Sequence, residues 1–486
     1  MTDVRCARRF NSMVVLAAAA LLVLATVSCG RRDSVATGAR HVVVISIDTA
    51  RADHFGFMGS PDASTPRLDA FAAEAVVFED YMTVVPTTLA SHTTLLTGRY
   101  PHHHGTARNG FMVNRDNETL AEILSGEGFH CAGFAGSFAL DERFDFAQGF
   151  DHYDQDFDVL VGETGADQNQ RLAEDVTDAA LEYLDGLSAS DRLLLFLHYF
   201  DPHRPYTAPW PFETLHDPRG REGLLPISEL LRATATSRDR IEAEARRHAM
   251  QYASEISYTD EHVGRLLEGL RARGILDDAL VVITTDHGES MWEHGEEFDH
   301  GTGVYQSTMH ALCVFRLPGG ESGGTRSSRP AASVDVLPTI LTFLGLKTPG
   351  GVDGVTLRLG EDDAGNAERA RFGQATKPWR DVETDPGWAN MLKARCVRLG
   401  RYKYVQTPYL GTEELYDVVS DPREVLNLLA DDAVGSVSRP EYASVVSSLR
   451  PRLEQWAASA APLPTWFESS QQEETIERLK SLGYLR

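Results

Sequence analysis

The chain has 486 residues, with 46 Lys and Arg against 71 Asp and Glu, a formal net charge of −25. That acidity excludes a nucleic-acid partner held by phosphate neutralisation. At 42% hydrophobic and 24% charged the composition is that of a globular protein, and five cysteines over this length exclude a small disulfide scaffold.

Arg5, Arg8 and Arg9 form a basic start, and residues 13–25 are an apolar run too short to cross a bilayer comfortably. Residues 1–28 therefore read as a signal peptide. The small residue before Cys29 resembles a bacterial lipobox, which would put a lipid on Cys29 and anchor the protein to a membrane surface in the cell envelope, facing periplasm or exterior. Cleavage removes three arginines and one aspartate, so the remainder is more acidic still. Cys131, Cys313 and Cys396 read as buried thiols.

His41–Ile47 is a β-branched run of the kind buried on both faces of a sheet, and residues 193–200 and 279–285 read the same way. Residues 311–317 form a weaker fourth strand. Thr65-Pro66 caps a helix expected to reach about Val77, residues 172–187 form another, and residues 241–273 are long and amphipathic. The alternation predicts an α/β fold with a large, mostly parallel sheet sandwiched by helices. Ligands of such sheets bind beyond the carboxyl ends of strands. Asp48 ends the first strand, Asp201 and His203 follow the second, and Asp286-His287 ends the third. Loop-like stretches at 319–329 and 361–371 divide a catalytic domain, 40–360, from a smaller C-terminal α+β subdomain, 372–486, ending in an exposed amphipathic helix over 474–482. Residues 204–242 carry mixed signals and are a candidate lid or insertion.

Residues 85–98 read VPTTLASHTTLLTG. Ser91 is an expected N-cap, 92–97 a short helix and Gly98 its stop. Thr88 then lies just before a helix N-terminus, where free N–H groups favour an anion.

The segments SIDTARAD (46–53), TTLASHTTLLTGRYPHHHG (87–105), DPHRPY (201–206) and TDHGE (285–289) resemble the sulfatase family within the alkaline phosphatase superfamily. DVLPTIL (335–341), GRYKYV (400–405) and ELYDVVSDPREVLNLL (414–429) extend the resemblance over residues 40 to 430, in the family's order. It implies a bivalent metal, a nucleophile bound to it, and a small domain closing the site.

The sequence departs from the family where the chemistry lies. The family's Cys or Ser, oxidised to formylglycine, is Thr88 here, and a methyl on the carbinol carbon bars that aldehyde. The signature Pro is Ala90 and the signature Arg is His92. A Lys-containing signature expected near 132–139 is missing, and a later sulfate-binding Lys is His300 in FDHG (298–301). In related phosphodiesterases and phosphoethanolamine transferases of the superfamily a metal-bound Thr is the nucleophile, activated by coordination.

The resemblance then implies Asp48, Thr88, Asp286 and His287 as ligands of one ion, zinc, manganese or calcium. His203 and His300 resemble the ligands of a second ion or of the phosphoryl group, and Asn109 the donor to a non-bridging oxygen. His92, His102, His103, His198 and His294 read as supporting or loop residues, and Arg51 and Arg99 as loop pins. Tyr402 and Lys403 belong to the small domain, and Asp421-Pro422 to a turn. The expected activity is metal-dependent hydrolysis of an anionic ester, on a glycan or lipid, through a covalent Thr88 intermediate. A phosphate mono- or diester is favoured; the alternatives are a sulfuric ester hydrolase, a phospho-group transferase and a catalytically silent metal-binding surface protein.

Overall fold

A computed structural model describes residues 38–157, 170–188, 190–230, 238–360, 368–379, 382–383, 387–430, 440–467, 472–482 and 484. The expected signal peptide and lipidated Cys29 lie outside the described residues.

His41–Ile47 sits near the middle of an eight-stranded sheet. The strands lie side by side as Thr325–Ser327, Val76–Phe78, Cys313–Arg316, Ala279–Thr285, His41–Ile47, Arg192–Tyr199, Phe129–Phe134 and His152–Asp154. All pairings are parallel except those of Cys313–Arg316, which runs against both neighbours. Val42 and Val44 bury into the core on one face, and Val43, Ile45 and Ile47 into the core on the other. This two-sided burial explains the unbroken apolar run. In register, Ile47 lies opposite Tyr199 on one side and Thr285 on the other. The three chains therefore leave the sheet together, at one edge.

Helices cover both faces. Ala173–Asp185 and the 35-residue Arg238–Ala272 pack together on one side. The helix begun by Pro66 ends at Ala72, short of the expected Val77, because Val76–Phe78 is drawn into the sheet as a fully buried strand. There, tertiary pairing overrides helical continuation.

The described part of residues 204–242 is not a roof over the strand ends. Beyond Tyr206 it lies along the long helix, where Arg247 Nε donates to Asp217 Oδ2 at 2.8 Å and Gln251 Nε2 to the Glu213 carbonyl at 3.1 Å.

The smaller unit is a four-stranded antiparallel sheet, Arg371–Gln374, Arg395–Leu399, Tyr402–Thr407 and Thr412–Asp417, packed on the helix Pro440–Ala458. Inside it Lys403 Nζ meets Glu424 Oε1 at 2.9 Å, with both side chains buried. Two seams tie it to the large sheet. Arg371, fully buried, pairs with Asp80 at 2.8 Å, and Gln374 N donates to the Val84 carbonyl at 3.0 Å.

The final helix differs from expectation. Gln472–Ser481 is not exposed along its apolar side: Thr475, Leu479 and the following Leu482 are buried, and the two leucines join the core of the large sheet, not the small one. A strap leads to it across the large domain, with Ala461 N bonded to the His102 carbonyl, Leu463 N to the His103 carbonyl and Met112 N to the Trp466 carbonyl. Among the described residues no helix is long and apolar enough to cross a membrane.

Ile283 is fully buried mid-strand. Ile283→Ala should lower the unfolding free energy by about 2–5 kcal/mol, read as a lower denaturant midpoint at unchanged slope.

Candidate functional site

Because Ile47 and Thr285 are register partners, the next residues, Asp48 and Asp286, emerge side by side. Asp286 Oδ1 is fixed by the backbone N–H groups of Thr49 at 3.1 Å and His287 at 2.7 Å, which leaves Oδ2 unpartnered. His287 Nδ1 donates to the Gly288 carbonyl, so its Nε2 points inward without a partner. Asp48 Oδ2 accepts from His198 Nε2 at 3.2 Å and from Thr88 Oγ1 at 3.3 Å, while Oδ1 is unpartnered.

Asp48, Asp286 and His287 are the one such cluster among the described residues, with ligand atoms all within 4.8 Å of one another. Burial pushes both carboxyls well above the usual range, helped by Glu289 at Asp48 and by Asp48 at Asp286. Burial also keeps the His287 ring neutral. Two converging acids and one imidazole lone pair, all buried and unsatisfied, fit a divalent cation of the hard-to-borderline kind.

Thr88 is not before a helix but in it. The helix runs Thr88–Thr97, four residues longer than expected, with Thr87 as N-cap and Gly98 at φ 65° as its stop. Ser91 does not cap: its N–H makes the first helical bond, to the Thr87 carbonyl, and its Oγ donates to the Asp286 carbonyl at 2.8 Å. The capping contact comes from another loop. Asn109 Oδ1 accepts from Leu89 N at 2.8 Å, and its buried Nδ2 is left without a partner. The nucleophile candidate thus sits in the first turn, at the positive end of the helix.

His92, one turn along, is a support. Its Nδ1 donates to the Thr88 carbonyl at 2.7 Å and its Nε2 accepts from Ser46 Oγ at 2.8 Å. His198 likewise braces Asp48.

His203 and His300 face the same space, with ring centroids 5.3 Å apart; His300 and His287 are 4.5 Å apart. His203 Nδ1 donates to the Arg204 carbonyl and His300 Nδ1 to Glu289 Oε1 at 3.0 Å, so both Nε2 atoms are buried and free. Burial holds both rings neutral; Lys377 helps at His300, which is pulled down to about 3. Asp201 is not brought in. Its Oδ1 accepts from Ala173 N, at the start of the helix behind the sheet. His102 and His103 lie on the short helix Pro101–His104 beneath the strap, where His103 pairs with Asp353, and His294 stacks on Tyr305 away from the site. Arg51 pins Asp53 and Glu293, and Arg99 donates to Asn117.

Three groups escaped the sequence reading. Glu289, within TDHGE, is fully buried behind His300, and burial raises its carboxyl to about 8. Lys377 Nζ pairs with Asp299 at 2.7 Å, and the amides of Thr376 and Lys377 both donate to the Gly301 carbonyl. The small domain thereby holds the FDHG loop, whose Gly301 has φ 93°. Tyr484 places its hydroxyl 3.2 Å from Thr88 Oγ1. Only the Asp-His-Gly-Glu run gave a signal for Glu289; the other two arrive from segments more than 70 residues away in sequence from their partners.

The sulfatase family model matches residues 40–346, well over half of the chain. The chain belongs to the sulfatase family, ester hydrolases of the alkaline phosphatase superfamily. It is 26% identical over 441 residues to the ulvan-active sulfatase of Formosa agariphila, covering 85% of this chain and 80% of that protein. Among solved structures, BT4656 in complex with D-glucosamine-2-N,6-O-disulfate superposes with a TM-score of 0.67 at 21% identity, over 86% of this chain and 97% of that one. The phosphonate monoester hydrolase of Agrobacterium radiobacter superposes with a TM-score of 0.64 at 23% identity, over 85% and 95%. The sulfatase-family fold is thus shared by relatives named for sulfate and for phosphonate esters.

Metal binding is testable apart from activity. Chelator-treated wild type should bind zinc, manganese or calcium in calorimetry, gaining about 2.7 kcal/mol of stability at a hundredfold excess over Kd, and Asp286→Asn should lose both. Asp48 and Asp286 have folded pKa values above their unfolded ones. The metal-free protein should therefore lose stability as pH rises above the ordinary carboxylate range, and saturating metal should flatten that slope. A flat profile without metal would count against the site.

Proposed function

We propose that this protein is a metal-dependent ester hydrolase whose nucleophile is Thr88. The observation that carries the reading is Thr88 Oγ1 at 3.3 Å from Asp48 Oδ2, in a helix first turn facing buried, unsatisfied Asp and His groups. Asp48, Asp286, His287 and Thr88 would hold a divalent ion, which supplies Lewis acidity that lowers the hydroxyl pKa and neutralises developing charge.

The residues divide the work. Asp48 Oδ2 accepts the Thr88 hydroxyl proton as Oγ1 attacks phosphorus, and the leaving oxygen departs with its bonding pair, taking a proton from solvent. Asn109 Nδ2 is the free donor for a non-bridging oxygen, and the helix N-terminus adds positive potential. In the second step water attacks the Thr88 ester at phosphorus and releases one proton to solvent. The bond to Oγ1 breaks with its electron pair returning to that oxygen, which recovers the proton held by Asp48 Oδ2. Neutral His203 and His300, with their Nε2 atoms free, suit the role of ligand better than that of acid or base.

A phosphate mono- or diester is favoured, because a threonine cannot become formylglycine and the family's sulfate-binding Lys is His300. The names of the relatives, one acting on ulvan and one bound to a sulfated glucosamine, favour the second reading, sulfate ester hydrolysis on a glycan. The site is placed by this proposal outside the cytoplasm, on a lipid-anchored protein, from the residues around Cys29.

The test is a hydrolysis panel on the chain from residue 30, with added zinc, manganese or calcium. Nitrophenyl phosphate, bis-nitrophenyl phosphate and nitrophenyl sulfate are each compared beside Thr88→Ala. Metal-dependent phosphate ester turnover should fall by about three orders of magnitude or more in the variant. Turnover of the sulfate alone would transfer the assignment to the second reading, and turnover surviving Thr88→Ala would end the nucleophile role. Asn109→Asp, which keeps the helix contact and removes the donor, should lower kcat by about 10²–10³.

A further inference from the structure

We infer that Tyr484 is a catalytic residue, delivered into the site by the strap and helix that precede it. The inference rests on Thr88 being the nucleophile. Its hydroxyl lies 3.2 Å from Thr88 Oγ1, and its ring leans on the two free imidazoles, with centroids 5.4 Å from His203 and 6.1 Å from His300. The side chain is only 3% exposed. Thr88 Oγ1 is thus within hydrogen-bond distance of both a carboxylate oxygen of Asp48 and the phenol of Tyr484.

This placement is built, not incidental. The amide of Tyr484 donates to the Leu479 carbonyl at 2.8 Å and that of Leu482 to the Arg478 carbonyl at 3.3 Å, closing the helix end and turning the tyrosine back toward the strand ends. Leu479 and Leu482 bury into the core of the large sheet. On the outer side the Arg478 guanidinium lies 4.4 Å over the Phe138 ring, and Arg143 bonds Thr475 Oγ1 at 3.5 Å. Upstream, the ring of Phe467 packs beside Phe111 with centroids 6.0 Å apart and fills the space a side chain at Gly110 would need, next to Asn109. Phe467 therefore backs the Asn109 loop, and Tyr484, behind the docked helix 472–481, backs the nucleophile.

The chemical role follows from the atom touched. Oγ1 carries negative charge twice, as attacking oxygen and as the oxygen expelled when water cleaves the Thr88 ester. An O–H aimed at that atom stabilises both, and by hydrogen bonding alone: the phenol keeps its proton throughout and no bond to Tyr484 forms. A donor interaction strongest where charge develops lowers the barrier without tightening substrate binding.

Tyr484→Phe keeps the ring and removes the donor. On the ester that wild type turns over in a Thr88-dependent way, kcat should fall about 10²-fold with KM and thermal midpoint unchanged. Deletion of residues 468–486 should lose at least as much. Hydrogen exchange of the metal-loaded full chain should find the Leu482 and Tyr484 amides protected. Equal or faster turnover in Tyr484→Phe, or in the deletion, would overturn the role and make the segment inert or a plug. Exchange at free-chain rates would overturn the docking itself. Both results leave Thr88 as nucleophile standing, whereas wild-type turnover insensitive to Thr88→Ala would remove both proposals together.

Discussion

Two carboxylates that share a buried edge organise this molecule. Asp48 and Asp286 leave adjacent, in-register strands, so their side chains must converge, and each is buried with one oxygen unsatisfied. Carboxylates so placed repel and are costly to desolvate unless a cation joins them. The surrounding bonds do not relieve that cost. They fix it: backbone amides take one oxygen of Asp286, and His198 and Thr88 take one of Asp48, aiming the remaining pair at a common point. A rigid sheet is what lets the arrangement persist, since strands buried on both faces cannot slide apart to let water in.

The groups that would act on a substrate come from elsewhere and are held more indirectly. Thr88 is set by its helix, which is itself pinned by His92 to the Thr88 carbonyl and by Asn109 to Leu89 N. His300 is oriented by Glu289 and its loop by the amides of Thr376 and Lys377. Thr88 and His300 thus each have partners that hold them in place. Such holding is what preorganises a site, because a displacement of about one ångström is costly in rate.

The sheet and the ion-binding edge were legible because they are encoded locally. A buried parallel strand is a run of Val and Ile, and the residue that ends it must be polar and emerge at the carboxyl edge, so Asp48 and Asp286-His287 could be read directly. What could not be read depends on long-range pairing. Ser91 has the composition of a cap, yet the helix starts at Thr88 because Asn109, some twenty residues on, meets Leu89 N at the cost of no local signal. The 474–482 helix has a polar face and reads as exposed, but two of its three apolar positions, Leu479 and Leu482, dock into the core. Asp201 shows the reverse error. It follows the same strand as His203, two residues earlier, but its carboxylate turns to the Ala173 amide behind the sheet.

Charge presents the last constraint. A strongly acidic chain repels an anionic ester at a distance, so attraction must be local. The structure gathers it from several sources at one edge: the first turn at Thr88, Lys377 delivered from the small domain, and Arg204, whose guanidinium donates to the Phe298 carbonyl at 2.9 Å. Asp299, held far below the usual carboxylate range by Lys377 and Arg204 together, balances these cations. The cations therefore serve first to fold the FDHG loop against the small domain, and their residual field reaches His300, His287 and Glu289. A fold that closes its own site with ion pairs in this way makes domain docking and substrate electrostatics the same property. Loosening the seam would cost the positive potential along with the packing.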